Sequence, residues 1–176
     1  MEHLRARLAA GDRAAFAELY EACADRLHHY LLVRLGSRQD ADDVLQEAFL
    51  RLARNRRKLR SVRNLAAYVF TIARNEAVRL AERKRREPAA GEGLTADALF
   101  DEACWDEMSQ RETAELVARA LGDLPPDQRE VVELKTYAGL TFREIAEVTD
   151  SPQGTVATRY RTALEHLRRA LTRHFP

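Results

Sequence analysis

Residues 71–86, TIARNEAVRLAERKRR, set an amide and a row of guanidinium groups at helical spacing. Thr71, Asn75, Arg79, Glu82 and Arg86 recur every three or four positions and fall on one face, with Arg74 and Arg83 beside it. Asn can pair with a base edge, and Arg can bind phosphate or stack on an unpaired base. A helix with a merely soluble basic end would carry the same residues, so both readings stand at this point. Just upstream, RNRRKLRSVRN (54–64) is a basic connector whose cations could draw in phosphates, with a solvated charge run as the plainer alternative.

A second stretch, TDSPQGTVATRYRTALEHL (149–167), has the form of a helix that lies in a DNA groove. Ser151 can cap it and Pro152 suits its first position. Val156, Tyr160, Leu164, Leu167 and Leu171 form the apolar stripe, which turns Gly154, Ala157, Thr158, Arg161, Thr162 and Glu165 outward. Ala157 and the Thr158 methyl could meet thymine methyls, and Arg161 a guanine or a phosphate. Arg143 and the helix N-terminus around Thr155 could hold the backbone. Cations are few, Arg159 and Arg161 and then Arg168, Arg169 and Arg173. Each missing phosphate contact weakens binding and flattens its salt dependence, so a short and weak groove contact is expected.

A third group, Asp43, Gln46, Glu47 and Leu50, occupies adjacent turns on the outer side of its helix. Acids around an exposed Leu can form a protein interface, or simply a solvated face near a helix N-terminus. Catalytic and metal chemistry find no support. The five His are scattered, the two Cys (Cys23 and Cys104) form no C-x-x-C, and no P-loop, dinucleotide fingerprint or triad is present. No catalytic residue, metal, cofactor or small-molecule substrate is therefore expected. Buried or idle thiols in a reducing cytoplasm are expected rather than a disulfide.

The elements that must position these groups are helical throughout. Asp12 caps a helix with Phe16, Leu19, Tyr20, Cys23, Leu27, Tyr30 and Leu31 on one stripe, ended by Gly36. Ser37, with Asp40 three residues on, opens a helix that buries Ala41, Leu45, Ala48 and Leu52. A helix over about 65–86 follows. After PAAGEGLT (88–95), a linker by composition, comes an acidic strap to Glu107 with Leu99, Phe100 and Trp105 as its bulky apolar groups. Then Leu116 to Leu124 form a short stripe, and Pro125-Pro126 start a helix carrying Val131, Val132 and Leu134. The TFRE box (Thr141, Glu144) caps a short helix before the 149–167 stretch. No segment alternates with period two, no apolar run reaches 18 residues, and the N-terminus lacks a signal-peptide core.

Charge divides the chain in the same places. Residues 1–86 hold 19 Lys+Arg against 11 Asp+Glu, residues 87–115 hold one Arg against nine acids, and residues 116–176 hold nine basics against eight acids. A net charge of +1 hides a basic lobe, an acidic strap and a near-neutral lobe. The expectation is an all-α chain: two small helical domains joined by an acidic flexible linker, the second containing a helix-turn-helix.

The stretch from Leu124 to Leu171 resembles the DNA-binding C-terminal domain of bacterial sigma factors of the extracytoplasmic-function (ECF) class. The marks are the Leu-Pro lead-in, Arg129-Glu130, EIAEV, the Pro152 turn and GTV followed by Arg159. DADDVLQEAFLRLAR resembles that family's polymerase-binding helix, and AAYVFTIARNEAVRLAERKRR its promoter-melting helix. The resemblance implies a non-enzymatic, cytoplasmic initiation factor that binds core RNA polymerase and promoter DNA, is held by an anti-sigma factor, and does not insert in a membrane. Residues 1–87 would bind polymerase and the −10 element, 88–110 would be the linker, and 111–176 would bind the −35 element.

Transferred residue by residue, the resemblance assigns Asp43, Gln46, Glu47 and Leu50 to the polymerase clamp. It assigns Arg57, Asn64, Tyr68, Thr71, Arg74, Asn75, Arg79 and Arg83 to the −10 element, and Arg143, Thr155, Ala157, Thr158, Arg159, Arg161 and Thr162 to the −35 element. Tyr68 stands where the family often has Trp, and Arg79 where Asp is common. The acidic strap matches a linker that threads polymerase channels. Two alternatives remain at this stage: a sigma-like decoy that occupies an anti-sigma partner, and a helix-turn-helix regulator acting without polymerase.

Overall fold

Asp12 and Gly36 bracket the longest helix, α2 (Arg13–Leu35). The Asp12 carboxylate accepts from the backbone N–H groups of Ala14 and Ala15, and Gly36 closes the helix in left-handed backbone at φ 68°. Glycine takes that conformation without the clash a Cβ would meet. The computed structural model describes residues 2–86 and 108–172, the side chains of 108–112 excepted. The expectations for the acidic strap, Leu99, Phe100, Cys104 and Trp105 included, lie outside the described residues.

In the first lobe, α1 (Glu2–Ala10) and α2 are followed by α3 (Arg38–Arg54), a short 3-10 turn (Arg56–Arg60) and α4 (Leu65–Arg86). Ser37 caps α3 by accepting from the Asp40 N–H. The Asp40 carboxylate does not return to the cap; it pairs with Lys84 at the far end of α4. The basic connector folds into the 3-10 turn, with Leu59 fully buried as its anchor and the Arg and Lys side chains exposed. Asn64 opens α4 by accepting the Ala67 N–H on its Oδ1.

The second lobe holds α5 (Met108–Gly122), α6 (Pro126–Thr136), α7 (Phe142–Thr149) and α8 (Gln153–Thr172). Pro126 takes the first turn of α6, where its missing N–H costs nothing. Thr141 and Glu144 form a complete capping box on α7. Asp150, at φ 50°, makes the sharp turn into α8. The described residues form eight α-helices and no strand, which agrees with the all-α expectation.

Four further local expectations need correction. Ser151 does not cap α8: its hydroxyl donates to the Thr149 carbonyl and accepts from Arg159. Pro152 stands just before the helix, its carbonyl accepting the Val156 N–H as an N-cap residue's does. Leu164 is not on the inward stripe but 44% exposed; Ala163 is fully buried in its place. Ala163 packs with Val33, Ala118, Leu121, Leu124 and Val132, where α8 comes close to its neighbours and a larger side chain would hold it off. Tyr20, placed on the buried stripe of α2, is likewise 46% exposed.

The lobes close on each other. One hydrophobic cluster runs from Leu8, Leu27 and Phe70 of the first lobe to Leu134, Ile145 and Val156 of the second. The smaller cluster is the second lobe's own core with Val33 of α2 inserted in it. The last turns of α2 are therefore the part of the first lobe that packs into the second.

Candidate nucleic-acid interface

Along α4, Asn75, Arg79, Glu82, Arg83 and Arg86 are exposed, as the periodicity requires of one face. Thr71 is half-buried and donates its hydroxyl to the Ala67 carbonyl. Arg79 pairs with Glu76 at 2.8 Å. Glu76, nearly buried, also receives Arg51 at 2.9 Å, and Arg51 in turn binds Glu47 at 3.0 Å. A charge relay thus runs from the outer side of α3 to the outer side of α4. Tyr68 is half-buried against the core, and Arg57 is exposed on the 3-10 turn.

Two candidates of this set turn elsewhere. Arg74 makes a two-pronged ion pair with Glu130 of α6, Nε to Oε1 and Nη2 to Oε2, both 2.9 Å. Asn64 donates its Nδ2 to Glu144 of α7 at 3.2 Å. Both are therefore engaged with the second lobe.

Around Arg74 lies a cluster that the sequence did not single out. Arg34 of α2 donates to Glu133 Oε2 at 3.0 Å and to Glu130 Oε1 at 3.3 Å. Glu133 is fully buried and is also gripped by Arg129 at 2.6 Å. Burial works against the Arg34 charge, but attraction from Glu133, Tyr30 and Glu130 outweighs it and holds the pKa above its ordinary value. For Arg74, the hydrogen bond to Glu130 dominates and has the same direction. The Tyr30 hydroxyl, fully buried within reach of these charges, has no hydrogen-bond partner, and burial pushes its pKa up.

Nearby, Arg26 donates its Nε to the Ala138 carbonyl at 2.7 Å. Gly139 beside it has φ +62°, and a Cβ there would sit 3.5 Å from the Arg26 guanidinium. The signal for the cluster was present in EVVEL (130–134). An acid flanked by Val131, Val132 and Leu134 on a buried helix needs a cationic partner.

The α7–α8 pair forms the helix-turn-helix. Thr155, Thr158 and Arg161 are exposed on the first turns of α8, and Ala157 and Thr162 are half-buried. Thr158 donates its hydroxyl to the Gly154 carbonyl at 3.0 Å. Arg143 on α7 is well exposed, with Glu147 3.6 Å away. Arg159 is tied back, its Nε on Asp127 at 2.9 Å and its Nη1 on Ser151 at 3.2 Å. That leaves Arg161 as the exposed cation on the first three turns of α8.

On α3, Asp43, Gln46 and Leu50 are exposed, and Glu47 is held by Arg51 and Arg54. Beside them an apolar groove of about 560 Å³ lies between α2 and α3, lined by Phe16, Tyr20, Leu45, Phe49 and Leu50 with Asp42 and Gln46 also on its wall. Among the described residues no His, Cys, Asp and Glu group could hold a metal ion. No described helix is long and apolar enough to cross a membrane.

Comparison with known proteins agrees with this geometry. The Sigma-70 region 2 family model matches residues 19–87 and the Sigma-70 region 4 model matches residues 114–167. The ECF RNA polymerase sigma factor SigW of Bacillus subtilis is 30% identical over 173 residues, covering 92% of this chain and 91% of that protein. The chain belongs to the ECF class of sigma factors. RpoE of Cereibacter sphaeroides, of the same class, is 33% identical over 163 residues, with 92% of this chain and 88% of that protein covered. Among solved structures, CnrH in complex with the cytosolic domain of CnrY aligns over 97% of this chain and 96% of its own, at TM-score 0.72 and 23% identity. RpoE of Bartonella quintana, solved with the anti-sigma factor NepR, gives TM-score 0.69 and 21% identity over 89% of this chain and 96% of its own. These two establish the shared fold.

This sigma factor is a promoter-recognising transcription initiation factor, and its family is not enzymatic. The region 2 and region 4 models both match, and the decoy reading has no support.

Proposed function

We propose that this ECF sigma factor divides its work by lobe: residues 1–87 bind core RNA polymerase and the −10 element, residues 88–110 link, and residues 111–176 bind the −35 element. The observation that carries the assignment is the exposed face of α4, where Asn75, Arg79 and Arg83 stand together outside a well-packed lobe. Asn75 reads a base edge, while Arg79 and Arg83 hold phosphates or stack on unpaired bases. Arg57 on the 3-10 turn captures the displaced strand. Thr71 and Tyr68 line the same side of the lobe, and Asn64 and Arg74 join once the second lobe lifts away.

On α3, Leu50 is the apolar anchor of the polymerase contact, with Asp43, Gln46 and Glu47 pairing around it. On α8, Thr155, Ala157, Thr158, Arg161 and Thr162 enter the groove, Arg143 holds the backbone, and Arg159 positions the helix through Asp127. With one exposed cation on its leading turns, α8 contributes discrimination more than affinity, and polymerase supplies the rest through avidity. The factor works in the cytoplasm. An anti-sigma partner fits the same reading, since the Bartonella RpoE of matching fold was solved with one.

The test is in vitro transcription with cognate core polymerase and a genomic promoter library. Discrete start sites sharing an upstream element support the proposal. Polymerase binding without initiation overturns it.

A further inference from the structure

Arg34 and Arg74 reach the same atom. Arg74 Nε lies 2.9 Å and Arg34 Nη2 3.3 Å from Oε1 of Glu130. Arg34 comes from the end of α2, Arg74 from the middle of α4 and Glu130 from the other lobe. Two guanidinium groups of one lobe converging on a single anionic oxygen form an anion site, which the protein fills with its own carboxylate. Carboxylate and phosphate present similar oxygen geometry to an arginine fork. We propose that Glu130 occupies a DNA-phosphate site formed by Arg34 and Arg74, so that α6 competes with promoter DNA for the first lobe and lobe separation uncovers the site.

Three further observations support the competition. Arg74 lies beside the exposed α4 face, next to Asn75 and about one and a half turns before Arg79, so a strand lying on those residues has a phosphate within its reach. Asn64, another member of that set, is also held across the boundary, by Glu144. The Tyr30 hydroxyl, which feels the charges of Arg34, Glu130, Glu133 and Arg74, is buried without a partner, so the closed arrangement leaves an unmet polar group beside this cluster. The inference rests on the −10 assignment of the first lobe and extends it to Arg34, which that assignment did not contain.

The test measures binding of a fluorescent single-stranded oligonucleotide of −10 non-template sequence to the full chain without polymerase. Glu130→Gln removes the competing charge and keeps the shape. It should bind at least about 5-fold more tightly than the unmodified chain, the effect of shifting a closed–open balance modestly toward the competent state. Glu115→Gln, an exposed acid of the same lobe, makes the same charge change away from the site and should not reproduce the gain. Adding Arg34→Gln to Glu130→Gln should abolish it. Where Glu130→Gln fails to fold by circular dichroism, Glu130→Asp retracts the carboxylate and should give a smaller gain.

Equal affinities for Glu130→Gln and Glu115→Gln overturn the proposal, as does a gain that survives Arg34→Gln. If both the unmodified chain and Glu130→Gln bind the strand only with core polymerase present, and equally, the competition fails while the −10 assignment stands. If neither binds under any condition, the −10 assignment fails and the competition with it.

Discussion

Arg74 and Glu130 face each other across the lobe boundary with two parallel 2.9 Å hydrogen bonds, although 56 residues separate them in sequence. Removing one partner of a buried pair costs about 3–5 kcal/mol, because the other charge is left without compensation. Arg74 is partly exposed and Arg34 still reaches Glu130, so Arg74→Ala should cost less, about 2 kcal/mol by the same reasoning. Arg74→Lys keeps the charge without the fork and should recover only part of the loss. Urea denaturation of the three proteins measures both differences.

Leu50 offers a separation of binding from stability. It is 43% exposed on a helix whose inner face is fully engaged, and surface changes of this kind move stability by about 0.5 kcal/mol or less. Leu50→Asp should therefore leave the melting temperature in place and abolish co-purification with core polymerase. Retained binding would remove α3 from the proposed contact.

Arg161 has little help on α8, since Arg159 is engaged with Asp127 and Ser151. Arg161→Ala should weaken promoter-directed initiation by the ~1–3 kcal/mol of a specific base contact if it reads a guanine. If it holds a phosphate instead, loss should be uniform across promoter sequences and the salt slope should fall by about 1. Start-site profiles of wild type and variant on one promoter library distinguish the two, and unchanged profiles would make α8 a scaffold.

Glu144 ties the α7 cap to acid stability. Burial tends to raise its pKa, but hydrogen bonds from the Thr141 backbone and hydroxyl and from Asn64 hold it below the ordinary 4.5. A carboxylate depressed in the folded state contributes stability fully above its unfolded pKa and loses it as pH falls through the folded value. Glu144→Gln should flatten the acid limb of a stability profile below pH 4.5. Thr141→Ala, which removes the other half of the box, should cost about 1 kcal/mol at neutral pH.

Cys23 is buried, donates its thiol to the Leu19 carbonyl, and has its pKa pushed up to about 11 by burial. The thiolate is the reactive form, so it should resist alkylation at pH 8 until the chain unfolds. In a Cys104→Ser background, the iodoacetamide rate as a function of urea should follow the unfolding transition. Rapid labelling of the native protein would contradict the packing of α2.

Much of the local structure was legible because it is written in neighbouring residues. The bounds of α4, the Thr141–Glu144 box and the buried face Ala41, Leu45, Ala48 and Leu52 depend on spacings of three and four, and they agree with the structure. The inward stripe of α8 did not resolve between Leu164 and Ala163, because helical periodicity places a stripe only to within a residue and close packing against α5 and α6 made the choice. The exposure of Asp43, Gln46 and Leu50 on α3 and of Thr155, Thr158 and Arg161 on α8 was legible too, because periodicity determines it. The engagement of Arg74, Asn64 and Arg159 was not, because each answers to a partner on another helix. Glu130 and Glu133 announced their need for cations, but no local spacing names Arg34 as the one that meets it.

Val33 sits at the end of a first-lobe helix, yet its side chain completes the core formed by Ala118, Leu121, Leu124, Val132 and Ala163. Cutting the chain at its linker would thus not yield two self-sufficient halves. The C-terminal fragment would carry a valine-sized hole opening onto solvent, and the N-terminal fragment would present a bare aliphatic stub. Any experiment that treats the lobes as interchangeable modules begins with a damaged one.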